Sequence, residues 1–159
     1  MYSAYLYMAM SATMTEWGYK GAASWLMVQY HEEMFHEMRL FSYLQDQGAK
    51  PELKALPPPV IKAGNFKELF EQVLEHEKGV TASIRELLEL ALAEKDFATE
   101  GFVRWYVSEQ VEEEKNASEI LQNIALLGNN PQGLFMINIE LGKRGLSVPS
   151  DFTKLGDGD

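Results

Sequence analysis

Trp105-Tyr106-Val107-Ser108-Glu109-Gln110-Val111-Glu112-Glu113-Glu114 places polar side chains on a helix face that should be apolar. The seam through it reads Val103, Tyr106, Gln110, Glu113, Ala117, Ile120 and Ile124. Steps of three and four keep residues on the packed face of a bundled helix. Two other stretches repeat the anomaly. In Trp25–Leu44 the seam is Leu26, Gln29, Glu33, His36 and Leu40. In Phe66–Ala91 it is Phe66, Phe70, Val73, Glu77, Val80, Ile84 and Leu87. An ionised carboxylate is costly to bury without a partner. No Lys or Arg occupies these seams, so the compensating charge is expected from outside the chain, as metal ions.

Composition narrows the class. The 159 residues suit one domain, and 46% hydrophobic content supplies a full core. A net charge of -10, with only Lys143 and Arg144 as a basic pair, argues against nucleic acid as a partner. The same charge attracts cations. Cysteine is absent, which excludes disulfides, thiolate metal sites and a rubredoxin-type iron module. This is compatible with the cytoplasm, the expected location. The apolar run Tyr5–Met10 has no basic residue ahead of it and is too short to span a bilayer. Neither a secretory signal nor a membrane partner is expected.

Five helices are predicted, so the fold class is all-α. The first runs from the chain start to about Trp17, and Gly18–Gly21 turns into a second that ends near Gly48. Gly48–Gly64 carries Pro51, Pro57, Pro58 and Pro59 and cannot be helical. Asn65 caps the third helix, with Glu68 completing a capping-box-like pair. That helix runs to about Lys95, and Asp96 caps a fourth that Gly128 and Asn129 stop after Leu127. Asn130 and Pro131 open a short fifth helix to about Leu141. Residues 1–145 form the domain and 146–159 a loose tail. Short links make two antiparallel hairpins. The second helix should be roughly 40 Å long, and the link after it could reach roughly 55 Å. One long crossover can therefore leave the second and third helices parallel in a four-helix bundle. The rival, a disordered linker between two hairpin domains, is opposed by the rarity of long structureless loops.

Glu33 and His36, three apart, can grip one ion. Alone, such a pair is more often a surface feature, and Gln110 and Glu113 alone would read as a solvated acidic face. Convergence separates the readings, because all three sets fall on seams near mid-helix. Hard carboxylates with one imidazole suit iron(II), manganese or zinc.

With these residues in view, the chain resembles bacterial non-haem ferritins over nearly its whole length. The carrying segments are Tyr2-Ser3-Ala4-Tyr5-Leu6-Tyr7, Glu32-Glu33-Met34-Phe35-His36, His76-Glu77-Lys78-Gly79-Val80-Thr81 and Trp105 through Glu114. The resemblance implies a ferritin-like four-helix bundle with a short fifth helix. It implies a ferroxidase that oxidises ferrous iron at a di-iron centre with dioxygen or peroxide. By it, Glu33 bridges two irons, His36 binds the first, and Glu77 and Glu113 bind the second with Gln110 beside it. Glu32, Glu109 and Glu112 resemble a third iron site. Tyr7 and Trp105 resemble aromatic residues beside the centre that are able to donate electrons. The implied assembly is a homo-oligomeric shell of twenty-four subunits that stores ferric mineral. No haem is expected, since the Met residues read as core filler.

One departure matters. The family's carboxylate from the first helix aligns immediately before Met1. The seam agrees, since Met14, Ser11, Tyr7 and Ala4 step back toward the same position. The expectation is a misassigned start or a naturally short chain, with ferrous oxidation slowed by the missing ligand. Three alternatives compete. A cage or bundle could bind metal without efficient oxidation. A di-iron peroxide reductase of rubrerythrin type is opposed by the missing cysteine and the fifth helix. A DNA-protecting mini-ferritin would place its ligands between subunits. Leu134, Phe135, Met136, Ile137 and Ile139 are too apolar for an isolated surface helix and are expected in an oligomer interface. His76 points about 100° from Glu77 and reads as a surface or interface residue rather than a ligand. His31 is expected to be exposed or at a subunit contact.

Overall fold

Local hydrogen bonds end the helices where the sequence changes character. The computed structural model describes residues 1–128, 130–149 and 151–152. Among them are α1 (Tyr2–Glu16), α2 (Lys20–Asp46), α3 (Phe66–Glu94), α4 (Phe97–Leu127) and α5 (Pro131–Leu141). The described residues contain no strand. After α1, Gly18 takes φ +88°, and the Gly18 and Tyr19 N–H groups donate to the Thr15 and Met14 carbonyls. Gly48, at φ +74°, ends α2 the same way, with Gly48 and Ala49 donating to Gln45 and Leu44. A left-handed residue there lets the chain turn back onto orphan carbonyls. Asn65 Oδ1 accepts from the Glu68 N–H at 3.0 Å, while Glu68 Oε2 accepts from the Gly64 N–H at 2.8 Å. The expected capping box is thus displaced by one residue at its return bond. Asp96 Oδ1 accepts from the Thr99 N–H at 3.0 Å and opens α4. Asn130 Oδ1 accepts from the Gly133 N–H at 2.9 Å and opens α5. Ala49–Ala63 has no regular secondary structure. Asn129 lies outside the described residues, as do Ser150 and residues 153–159 of the expected tail.

The chain divides into two compact units. The first holds Met1–Ile61 and the described residues from Phe135 onward; the second holds Lys62–Leu134.

In the first unit α1 and α2 pair as a hairpin. The expected α1 seam of Ala4, Tyr7, Ser11 and Met14 is buried throughout. Ser11 Oγ donates to the Ala23 carbonyl at 2.9 Å, satisfying that buried hydroxyl. The end of α5 docks on the start of α2. Asn138 Oδ1 accepts from the Ala22 N–H at 3.0 Å, and a Cβ on Gly21 would meet the Asn138 carbonyl oxygen at 1.8 Å. Glycine is therefore required at position 21. Ile137 and Leu141 are buried, whereas Phe135, Met136 and Ile139 are exposed. Of the five apolar side chains expected at an interface, Leu134 and Ile137 are thus buried within the chain, and the other three are exposed.

In the second unit α3 and α4 form the other hairpin. Every expected seam residue of α4 is buried, Val103 through Ile124. The α3 seam departs from expectation after Glu77. Val80 and Ile84 are half-buried and Leu87 is exposed, while Thr81 and Ala91 are buried. Thr81 lies one turn beyond Glu77, and its hydroxyl bonds with Gln110 and Glu114 of α4 draw it inward. No helix among the described residues is long and apolar enough to cross a membrane.

Candidate metal centre

In the first unit, Glu33 and His36 share one face of α2 and are both buried. Glu33 Oε1 lies 3.8 Å from His36 Nδ1. Burial, with a smaller contribution from Arg39, lowers the His36 pKa from 6.5 to about 4. The imidazole is therefore neutral near pH 7, which is the metal-binding form. Glu32, next in the chain, is also buried. Its Oε2 accepts from Arg144 Nη2 at 2.7 Å and its Oε1 from Ser147 Oγ at 3.0 Å. Arg144 Nη1 also donates to Gln29 Oε1. The guanidinium lies 4.9 Å over the Trp25 ring centroid, in cation–π range. No cation occupies the α2 seam itself, but one reaches its Gln29 from beyond α5. Tyr7 on α1 is completely buried.

In the second unit, Glu77 is fully buried. Gln110 Nε2 donates to Glu77 Oε2 at 3.0 Å, to the Glu77 carbonyl at 3.2 Å and toward Thr81 Oγ1 at 3.3 Å. Thr81 has one hydroxyl proton, which it donates to Glu114 Oε1 at 2.6 Å. It must therefore accept from Gln110, and this fixes the amide with its NH₂ toward Glu77. Glu113, three residues after Gln110, shares its face and is buried. Glu109 is half-buried and Glu112 exposed. Trp105 is half-buried and meets the Tyr106 ring edge-on at 4.7 Å. His76 is half-buried. Burial lowers its pKa, opposed by Glu77. A solvent-open groove of about 230 Å³ is lined by Thr81, Ile84, Arg85, Gln110 and Glu114, among others.

The structure thus brings expected ligands together as pairs, Glu33 with His36 and Glu77 with Gln110. Among the described residues, no group of three or more His, Asp and Glu side chains is gathered to hold an ion. Sequence reading missed Thr81, Glu114, Arg144 and Ser147. The first two carried a signal, since they lie four residues after Glu77 and Gln110 and so stack on the same faces. Arg144 and Ser147 carried none, because their contacts depend on how α5 docks.

The chain matches the Ferritin-like domain family over residues 1–127. It is 41% identical over 141 residues to a probable bacterial non-heme ferritin-like protein of Haemophilus influenzae, covering 89% of this chain and 86% of that protein. It is 34% identical over 143 residues to a bacterial non-heme ferritin of Staphylococcus aureus, covering 90% and 86%. Among solved structures, an open pore ferritin from the hyperthermophilic archaeon Archaeoglobus fulgidus matches with a TM-score of 0.88 at 41% identity, covering 91% of this chain and 89% of that one.

Proposed function

The chain belongs to the ferritin family, and on that premise we propose that it stores iron, oxidising Fe(II) and holding the ferric product as mineral inside a homo-oligomeric cage. Iron is here the substrate and the cargo. Glu33 and His36 bind one ferrous ion. Glu77 and Glu113 bind a second. Gln110 positions Glu77 by holding its Oε2.

The donor set supports this reading. Three carboxylates carry −3 against the +4 of two ferrous ions, and the imidazole adds nitrogen without adding charge. Because His36 is already neutral, it need not shed a proton to bind. Two ferrous ions each give up one electron, together reducing dioxygen to peroxide or peroxide to water. Tyr7, buried, and Trp105, half-buried, are the oxidisable rings proposed to pass an electron. Net charge -10 favours cation uptake. Exposed Phe135, Met136 and Ile139 on α5 favour burial between copies, and twenty-four subunits is the proposed number.

One observation carries the proposal: Glu33, His36, Glu77 and Glu113 are each no more than 7% exposed, so four metal-ligand side chains lie out of water. The test mixes iron-free protein with Fe(II) in air and follows near-ultraviolet ferric absorbance. Oxidation faster than in buffer, and mostly lost in Glu33→Ala and Glu77→Ala, is expected. A wild-type rate equal to buffer, or unchanged variants, overturns the ferroxidase. Particle size by light scattering separates a cage from a small oligomer.

A further inference from the structure

Glu32 was expected to face metal, yet both of its oxygens are engaged by residues following α5. Arg144 Nη2 donates to Oε2 at 2.7 Å and Ser147 Oγ to Oε1 at 3.0 Å. The second arm of the guanidinium bonds Gln29, and its face covers Trp25. The segment is anchored just upstream. A Cβ on Gly142 would lie 3.2 Å from Gly21 Cα, so the two backbones touch two residues before Arg144. We propose that Arg144 is a resident counter-cation that withholds Glu32 from metal ions and confines cation binding on α2 to Glu33 and His36.

The chemistry is competitive. A buried carboxylate can be neutralised by a guanidinium or by a metal ion. An ion arriving at Glu32 would have to break the charge-assisted bonds and leave Arg144 beside a second positive charge. A hydrogen bond to Gln29 and the contact over the Trp25 ring hold the arginine in place, so its charge is aimed rather than merely near. The device also reaches the seam, since Gln29 lies one turn before Glu33. This inference rests on the proposed iron site and deepens it, by naming which α2 carboxylate is excluded from it.

Calorimetric titration of the iron-free protein with Zn(II) tests it. Arg144→Gln should take up one more zinc ion per chain than wild type, and the double variant Glu32→Gln/Arg144→Gln should return to the wild-type number. Arg144→Lys, which keeps the charge, should match wild type. Equal uptake by wild type and Arg144→Gln overturns the proposal, as does an extra ion that persists in the double variant. Glu32→Gln alone is the second measurement, should Arg144→Gln not fold. Unchanged zinc uptake supports the proposal and loss of an ion overturns it. Zinc binding by wild type that is lost in Glu33→Ala reports separately on the iron site.

Discussion

In the α1/α2 unit, Glu32 is neutralised by Arg144, 112 residues away along the chain. In the α3/α4 unit, Glu77 instead receives a neutral amide from Gln110, steadied by Thr81 and Glu114 one turn along the same two helices. The first arrangement borrows an ionic partner from beyond α5 and depends on α5 staying docked. The second is contained within one hairpin. Perturbing the end of α5 that docks on α2 should therefore disturb the first unit and spare the second.

Gly21→Ala is the strongest way to break that contrast. Alanine favours helix over glycine by about 1 kcal/mol, so propensity alone predicts stabilisation. The added methyl would instead strike the Asn138 carbonyl, 1.8 Å from the new Cβ. A net loss of more than about 3 kcal/mol is expected in denaturant unfolding, as for severe overpacking. Hydrogen exchange should quicken in α5 and the start of α2 before it does in α3 and α4. A variant as stable as wild type would mean that α5 docking is not what holds the first unit.

The same contrast explains what the sequence revealed. Helix ends at Gly18, Gly48, Asn65, Asp96 and Pro131 were legible because their signals act over one turn. The seams of α1 and α4 were legible because 3.6-residue periodicity reports burial directly. The α3 seam drifted after Glu77 because a polar Thr81, bonded to α4, is buried in preference to Val80 or Leu87. Resemblance, not periodicity, supplied the roles of Glu32, Glu109, Tyr7 and Trp105. Arg144 was out of reach, since nothing near it in sequence points to Glu32. Its position follows from two glycines, 21 and 142, letting backbones touch.

A pH titration of the iron-free protein sharpens the comparison next. His36 titrates near 6.5 when unfolded and at about 4 when folded. Above pH 6.5 both states hold it neutral and it contributes no slope. Between 6.5 and about 4 the unfolded chain takes up a proton that the folded one refuses, so stability falls with pH. The loss is complete below the folded value and amounts to about 3 kcal/mol. His76 in the second unit is also lowered, but Glu77 opposes the shift. His36→Gln should therefore flatten unfolding free energy against pH more than His76→Gln does. Equal flattening would erase this difference between the units.

Thr81→Val probes the second unit with a smaller effect. Valine keeps the shape but removes the acceptor for Gln110 and the donor to Glu114. Weakening a part-buried network of this kind costs about 1–2 kcal/mol. Thr81→Ser keeps the hydroxyl and should lose less. The Gly21→Ala and Thr81→Val effects should add, since each acts within its own unit. Strong coupling in a double-mutant cycle would show that the two networks are not independent.

The smallest expected effect lies at the helix ends. Both α1 and α2 stop at a glycine with positive φ, whereas α3 stops at Lys95, with φ 58°. The bonding is the same, since Lys95 and Asp96 donate to the Leu92 and Ala91 carbonyls. A side chain in that left-handed conformation costs about 1–2 kcal/mol. Glycine would relieve the strain, but it enlarges the unfolded ensemble by about 0.4–1 kcal/mol. Lys95→Gly should therefore stabilise the second unit by only about 0.5 kcal/mol. Gly18→Ala and Gly48→Ala should do the reverse in the first unit. Open space surrounds both glycines, so their cost comes from φ alone. If Lys95→Gly proved destabilising by denaturant midpoint, the long lysine side chain would be contributing a contact that outweighs its backbone strain.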